Sequence, residues 1–121
     1  MDIFGNIKKI LGELLDIEEK EIMPETYIVR DLGAESIDFL ELAVALNSRF
    51  KIEIDDDEIF LRKLRVYLTE AEQEKRDVLL YLAGKFPFLS EERIKEITAD
   101  LDGGPVLKVK DLISYVFWRC K

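Results

Sequence analysis

The chain has 121 residues, enough for one domain, and its 48% apolar and 36% charged content marks it as globular rather than disordered. It has no histidine and a single cysteine, Cys120, which removes the commonest general base, the commonest metal ligand and any internal disulfide; hydrolase triads and most zinc sites are thereby disfavoured. The net charge of −8 is uneven: residues 1–60 hold 6 Lys/Arg against 16 Asp/Glu, and residues 61–121 hold 12 against 10, so the first half repels nucleic acid and anionic membranes and favours basic partners.

Asp2 to Leu15 reads as an amphipathic helix, with Ile3, Ile7, Ile10, Leu11, Leu14 and Leu15 recurring at three- and four-residue steps and Asp2 placed to cap it. Residues 16–26 are acidic and irregular, punctuated by Pro24, and Tyr27, Ile28 and Val29 are expected to pin this loop to the core. Leu32-Gly33-Ala34 forms a turn, after which a second helix starts near Ser36 and runs to about Arg49. That helix is so apolar that it is expected to be buried on most sides. Phe50 to Ile54 alternates like a strand but has no partner strand and is read as an extended link.

Asp55-Asp56-Asp57-Glu58 supplies caps and an acidic first turn for a helix from about Asp56 to Tyr67. Thr69 reads as the cap of another helix, ending at Gly84 as its C′ glycine, and Ser90 as the cap of a helix from Glu91 to about Leu101. Gly103-Gly104-Pro105 is the clearest break, and Val109 to Trp118 makes a last apolar-rich helix. The expected class is all-α. No apolar run approaches the roughly 20 residues of a membrane span, and the N-terminus lacks the pattern of a signal peptide. A cytoplasmic protein is the default expectation.

The motif Asp31-Leu32-Gly33-Ala34-Glu35-Ser36-Ile37-Asp38 puts a serine at the first turn of a helix. A helix N-terminus offers free N–H groups and partial positive charge, which favour an attached phosphate. The residues alone leave two roles open for Ser36, an N-cap or a modified hydroxyl, and one serine can fill both.

Residues 2 to about 60 resemble an acyl carrier protein through this motif, through Glu41-Leu42 and Ala45-Leu46, and through Phe50-Lys51-Ile52-Glu53-Ile54; Val109 to Val116 resembles the closing helix of that family. The resemblance implies a carrier rather than an enzyme, with no catalytic or metal-ligating residue. It implies that Ser36 receives 4′-phosphopantetheine from coenzyme A, delivered by a phosphopantetheinyl transferase (holo-carrier synthase), and that acyl groups ride on the arm as thioesters. It further implies partner recognition by Glu35, Ile37, Asp38 and Glu41, and an acyl pocket that includes Phe39, Leu42 and Leu46. The implied partners are acyl-transferring or condensing enzymes with basic docking surfaces, met by a monomer, with no nucleic acid and no membrane span. A peptidyl or aminoacyl carrier, and a carrier-like interaction module without the arm, are the alternatives.

Several residues depart from the family pattern. Glu35 stands where Asp is usual, Ile37 where Leu is usual, and Phe39 is bulkier than the common residue. Asn47-Ser48-Arg49 replaces an acidic run, and Asp55 a common proline. The largest departure is a segment at about 61–105, where the family passes to the closing helix in a few residues. The expected architecture is therefore a single carrier domain, residues 1–121, built as an acyl-carrier-like helical bundle with two extra helices inserted before the C-terminal helix. The departures point to a specialised fatty-acid, lipid or polyketide-type pathway.

Overall fold

The first helix forms where its apolar spacing requires. In the structure, a computed structural model that describes residues 2–120, α1 spans Ile3–Leu15 and buries Ile7 and Leu11. The Asp2 carboxylate accepts the Gly5 N–H at 2.8 Å and caps it. α2 (Ser36–Phe50) packs against α1, with Leu42, Ala43, Leu46 and Phe50 inward. Its opposite face stays open: Ile37, Leu40 and Val44 are 61%, 55% and 69% exposed. α2 is therefore buried on one face rather than on most sides. Its apolar residues fall on two stripes, and only one of them meets the core.

The helix expected from Asp56 to Tyr67 is two helices, α3 (Asp56–Ile59) and α4 (Leu64–Gln73). The break lies at Leu61, which has a left-handed φ of 56°. The Arg62 N–H reaches back to the Asp57 carbonyl and the Leu61 N–H to the Glu58 carbonyl, which closes α3 in a Schellman motif. Thr69 lies inside α4 rather than at a cap, and its hydroxyl donates to the Arg65 carbonyl at 3.0 Å. A second such motif ends α4 at Lys75, φ 56°. α5 (Val78–Lys85) is capped by Asp77, whose carboxylate accepts the Leu80 N–H at 3.1 Å, and Gly84 lies within it. Ser90 caps α6 (Glu91–Ala99), as its position suggests, and α7 (Val109–Arg119) closes the fold. The all-α class holds, and the segment before α7 carries three helices, α4 to α6, where the sequence suggests two.

These three helices are integral to the core. Leu64, Leu82, Phe86, Phe88, Leu89, Ile94 and Ile97 are buried in the same cluster as Ile7, Leu46 and Tyr115. Each such side chain contributes about 1.5–3 kcal/mol, against about 0.6 kcal/mol for each doubling of a loop's length. Burial thus exceeds the extra loop-closure cost of the longer connection. A run of aromatic contacts, Tyr67–Phe86–Phe88–Tyr115, joins α4 to α7 with ring centroids 5.0–6.2 Å apart. Arg93 of α6 grips Asp111 of α7 with two hydrogen bonds of 2.7 and 2.8 Å, both residues being buried. Arg93 also donates to the Val106 carbonyl at 2.7 Å, and Asp111 accepts the Lys108 N–H at 2.9 Å.

No helix among the described residues is long and apolar enough to cross a membrane.

Candidate functional site: the start of the second helix and the adjoining pocket

The turn that leads into α2 is built from local hydrogen bonds. The Asp31 carboxylate accepts the Tyr27 N–H at 2.8 Å, and the Gly33 N–H donates to the Val29 carbonyl at 2.9 Å. Gly33 has φ 70° with open space where a Cβ would sit, so glycine is favoured by backbone angle alone. Buried Ile28 and Ala34 anchor the turn. The Ile28 N–H donates to the Leu107 carbonyl, and the Val109 N–H to the Thr26 carbonyl, both at 3.0 Å. Tyr27 and Lys108 form an isolated antiparallel bridge. The loop before α2 thus hangs from the segment that leads into α7.

Arg30 adds a second tie, which the sequence reading missed. Its guanidinium donates to the Asp100 carboxylate at 3.0 Å and to the Gly104 carbonyl at 2.9 Å, while stacking 4.2 Å from the Tyr27 ring centroid. A Cβ at Gly103 would lie 2.8 Å from this guanidinium, so the glycine pair read only as a break is also an approach for Arg30. The Tyr27 hydroxyl and the Arg30 guanidinium together hold the Asp100 carboxyl below its ordinary pKa.

Ser36 is the first helical residue of α2, not its cap; Glu35 occupies the cap position. The Glu35 N–H is satisfied by the Asp38 carboxylate at 2.8 Å. Among the described residues, the Ser36 hydroxyl makes no hydrogen bond, and the Ser36 and Ile37 N–H groups have no acceptor. Ser36 itself is exposed. An exposed, uncommitted hydroxyl beside two unpaired helix-terminal donors fits a phosphodiester, whose oxygens those donors and the helix dipole would favour.

Of the residues expected around it, Glu35, Ile37 and Glu41 are exposed on the same helix, while Asp38 is half-buried with its carboxylate engaged. The three residues expected to form an acyl pocket separate. Leu42 and Leu46 are buried in the core, on the face of α2 that packs against α1, whereas Phe39 lines a pocket of about 470 Å³. The Phe39 ring meets Phe60 edge-on at 4.9 Å. The other walls come from Val29, from the α3–α4 junction (Leu61, Arg62, Leu64, Arg65), and from Leu101 and residues 104–107. Most of that lining belongs to the 61–105 segment or follows directly from it. Sequence periodicity could not locate it, because the junction residues are placed by the break at Leu61. Phe39 is one turn from Ser36, about 4.5 Å along the helix axis.

Comparison with known proteins agrees with this geometry. The family described as "Phosphopantetheine attachment site" matches residues 6–64, which contain Ser36 and the whole of α2. An acyl carrier protein of Wolinella succinogenes is 45% identical over 58 residues, covering 48% of this chain and 76% of that protein. One from Helicobacter hepaticus is 41% identical over 58 residues, with the same shares covered. The matched relatives and the helix that presents a free serine lead to one assignment: the chain belongs to the acyl carrier protein family, whose cofactor is covalent 4′-phosphopantetheine.

Proposed function

We propose that Ser36 is the attachment residue and that the chain carries acyl intermediates for a specialised fatty-acid, lipid or polyketide-type pathway. One observation carries the reading: within the matched region, Ser36 opens α2 with its hydroxyl exposed and unbonded. In the attachment step the Ser36 Oγ attacks the β-phosphorus of coenzyme A, its proton passes to a base on the transferase, and adenosine 3′,5′-bisphosphate leaves. The arm, once bound, supplies a thiol that holds an acyl group as a thioester. The Ser36 and Ile37 N–H groups would be available to the phosphodiester oxygens, and no side chain has to release Ser36 first.

Carriers hand groups to enzymes rather than transform them, and the membership of this chain in a carrier family supports that role. Glu35, Ile37 and Glu41 form the exposed surface beside Ser36 that a transferase and acyl-handling enzymes with basic docking surfaces would meet, through weak, charge-steered contacts. The chain acts as one carrier domain, the 61–105 segment included, a reading supported by the shared core.

Coexpression with a phosphopantetheinyl transferase, followed by intact-mass measurement, tests the assignment. The native chain gains the mass of one phosphopantetheine, and Ser36→Ala gains none. No gain in the native chain, or a gain that survives the substitution, sinks it and favours an unmodified interaction module.

A further inference from the structure

We propose that the pocket beside Phe39 takes an acyl group bearing a carboxylate, and that Arg62 and Arg65 bind that carboxylate. This rests on the carrier reading of Ser36, because the cargo must reach the pocket from the arm attached one helical turn away.

The pocket's volume, about 470 Å³, is within the range of small-molecule sites. Its walls are apolar apart from two guanidinium groups and backbone. Arg62 lies over the Phe60 ring at 5.7 Å, and Arg65 donates to the Leu101 carbonyl at 3.1 Å. Phe60 and Leu101 are themselves pocket walls, so both guanidinium groups are steered to its rim. Neither forms an ion pair among the described residues, whereas Arg30, Arg76, Arg93 and Arg119 each hold a carboxylate. Lys63, between them, is paired with Asp57. In a chain with 26 acidic and 18 basic residues, two unpaired arginines at one apolar opening are a specific charge arrangement.

A plain acyl chain filling this space would meet the apolar walls and leave both exposed guanidinium groups at the rim without a carboxylate. A carboxylate at the end of the chain matches the planar fork of an arginine there and gains charge-assisted hydrogen bonds. The apolar walls then hold the methylenes between thioester and carboxylate. An acidic segment of a partner enzyme could meet the same arginines, and the experiment separates the two.

A transferase is used to load the protein with a medium-length acyl chain, or with one of equal length ending in a carboxylate, each supplied as its coenzyme A derivative. Thioester hydrolysis is followed by mass spectrometry, and the arginine Nε–H resonances by NMR. The expected result is hydrolysis about tenfold slower for the carboxylated chain, with the Arg62 and Arg65 signals shifted by that cargo alone. Combining R62Q with R65Q abolishes the difference, and lysine at both positions restores part of it. Both arginines are exposed, and normal loading of the variants reports an intact fold. Equal hydrolysis of the two cargoes, or discrimination that survives R62Q with R65Q, overturns the proposal and leaves the arginines to a partner. If nothing is loaded, the carrier reading fails and takes this one with it; loading without discrimination overturns this inference alone.

Discussion

At the scale of single residues, the site depends on which groups are engaged and which are left free. The Asp38 carboxylate is spent on the Glu35 N–H, so the cap comes from the third helical residue and Ser36 is released from capping. Gly33 sets the angle at which the chain enters α2, with φ 70° and nothing within 4 Å of a built Cβ. Gly33→Ala should therefore cost only backbone strain, about 1–2 kcal/mol, with Gly33→Asn costing less; thermal melts of the two variants check the order. Ser36, Gly33 and their acidic neighbours were all legible in the sequence, because the motif is local. Arg30, Arg62 and Arg65 were not, since their roles come from residues brought near them by the fold. Arg30, for example, bonds Asp100 and Gly104, more than sixty positions away.

The elements show where sequence rules reach and where they stop. α1 and α6 follow their apolar periodicity and their Asp2 and Ser90 caps closely, and α2 and α7 form where their apolar residues place them, from Glu35 and Lys108 at the cap positions. The division at residues 60–77 does not, because α3 and α4 end on Leu61 and Lys75 rather than on glycine. Glycine is the usual signal for a left-handed C′ residue, and the one glycine that offered it, Gly84, stays helical. Leu61 accepts an unfavourable backbone angle while burying its side chain in the core. The joint between α6 and α7 is held differently, by a charge pair. Asp111→Ala leaves the buried Arg93 with Glu96, at 3.2 Å, as its remaining carboxylate, and the Lys108 N–H without an acceptor. A loss of about 3 kcal/mol is expected, the low end for a broken buried pair because Glu96 remains. Replacing both members with apolar residues of similar volume should recover much of it, as urea denaturation of the single and double variants would show.

For the molecule as a whole, the charge imbalance between halves is partly resolved by ion pairs across them. Glu25, in the acidic half, is shared by Lys108 and Lys110 at 2.9 Å each. The hydrogen bond from Lys110, then that from Lys108, brings the Glu25 carboxyl down to about 2 from an ordinary 4.5. A folded pKa below the unfolded one stabilises the protein above the unfolded value, and that stabilisation is lost as pH falls from about 4.5 to about 2. Glu25 is largely exposed, so solvent screening holds the effect to about 0.5–1 kcal/mol. Glu25→Gln should lower the unfolding free energy from urea denaturation at neutral pH by that amount and flatten the acid limb of stability against pH. Asp100 and Glu96, also held below their ordinary values, keep part of that limb.

The bonds from Ile28 to Leu107 and from Val109 to Thr26 also have a consequence in time. A ribosome that has made residues 6–64 has made the whole matched region, but not the strip of backbone that closes the turn before Ser36. The intervening α4, α5 and α6 must be synthesised first. The serine thus reaches its finished setting only once residues 107–109 have been made, after the pocket wall that would receive its cargo.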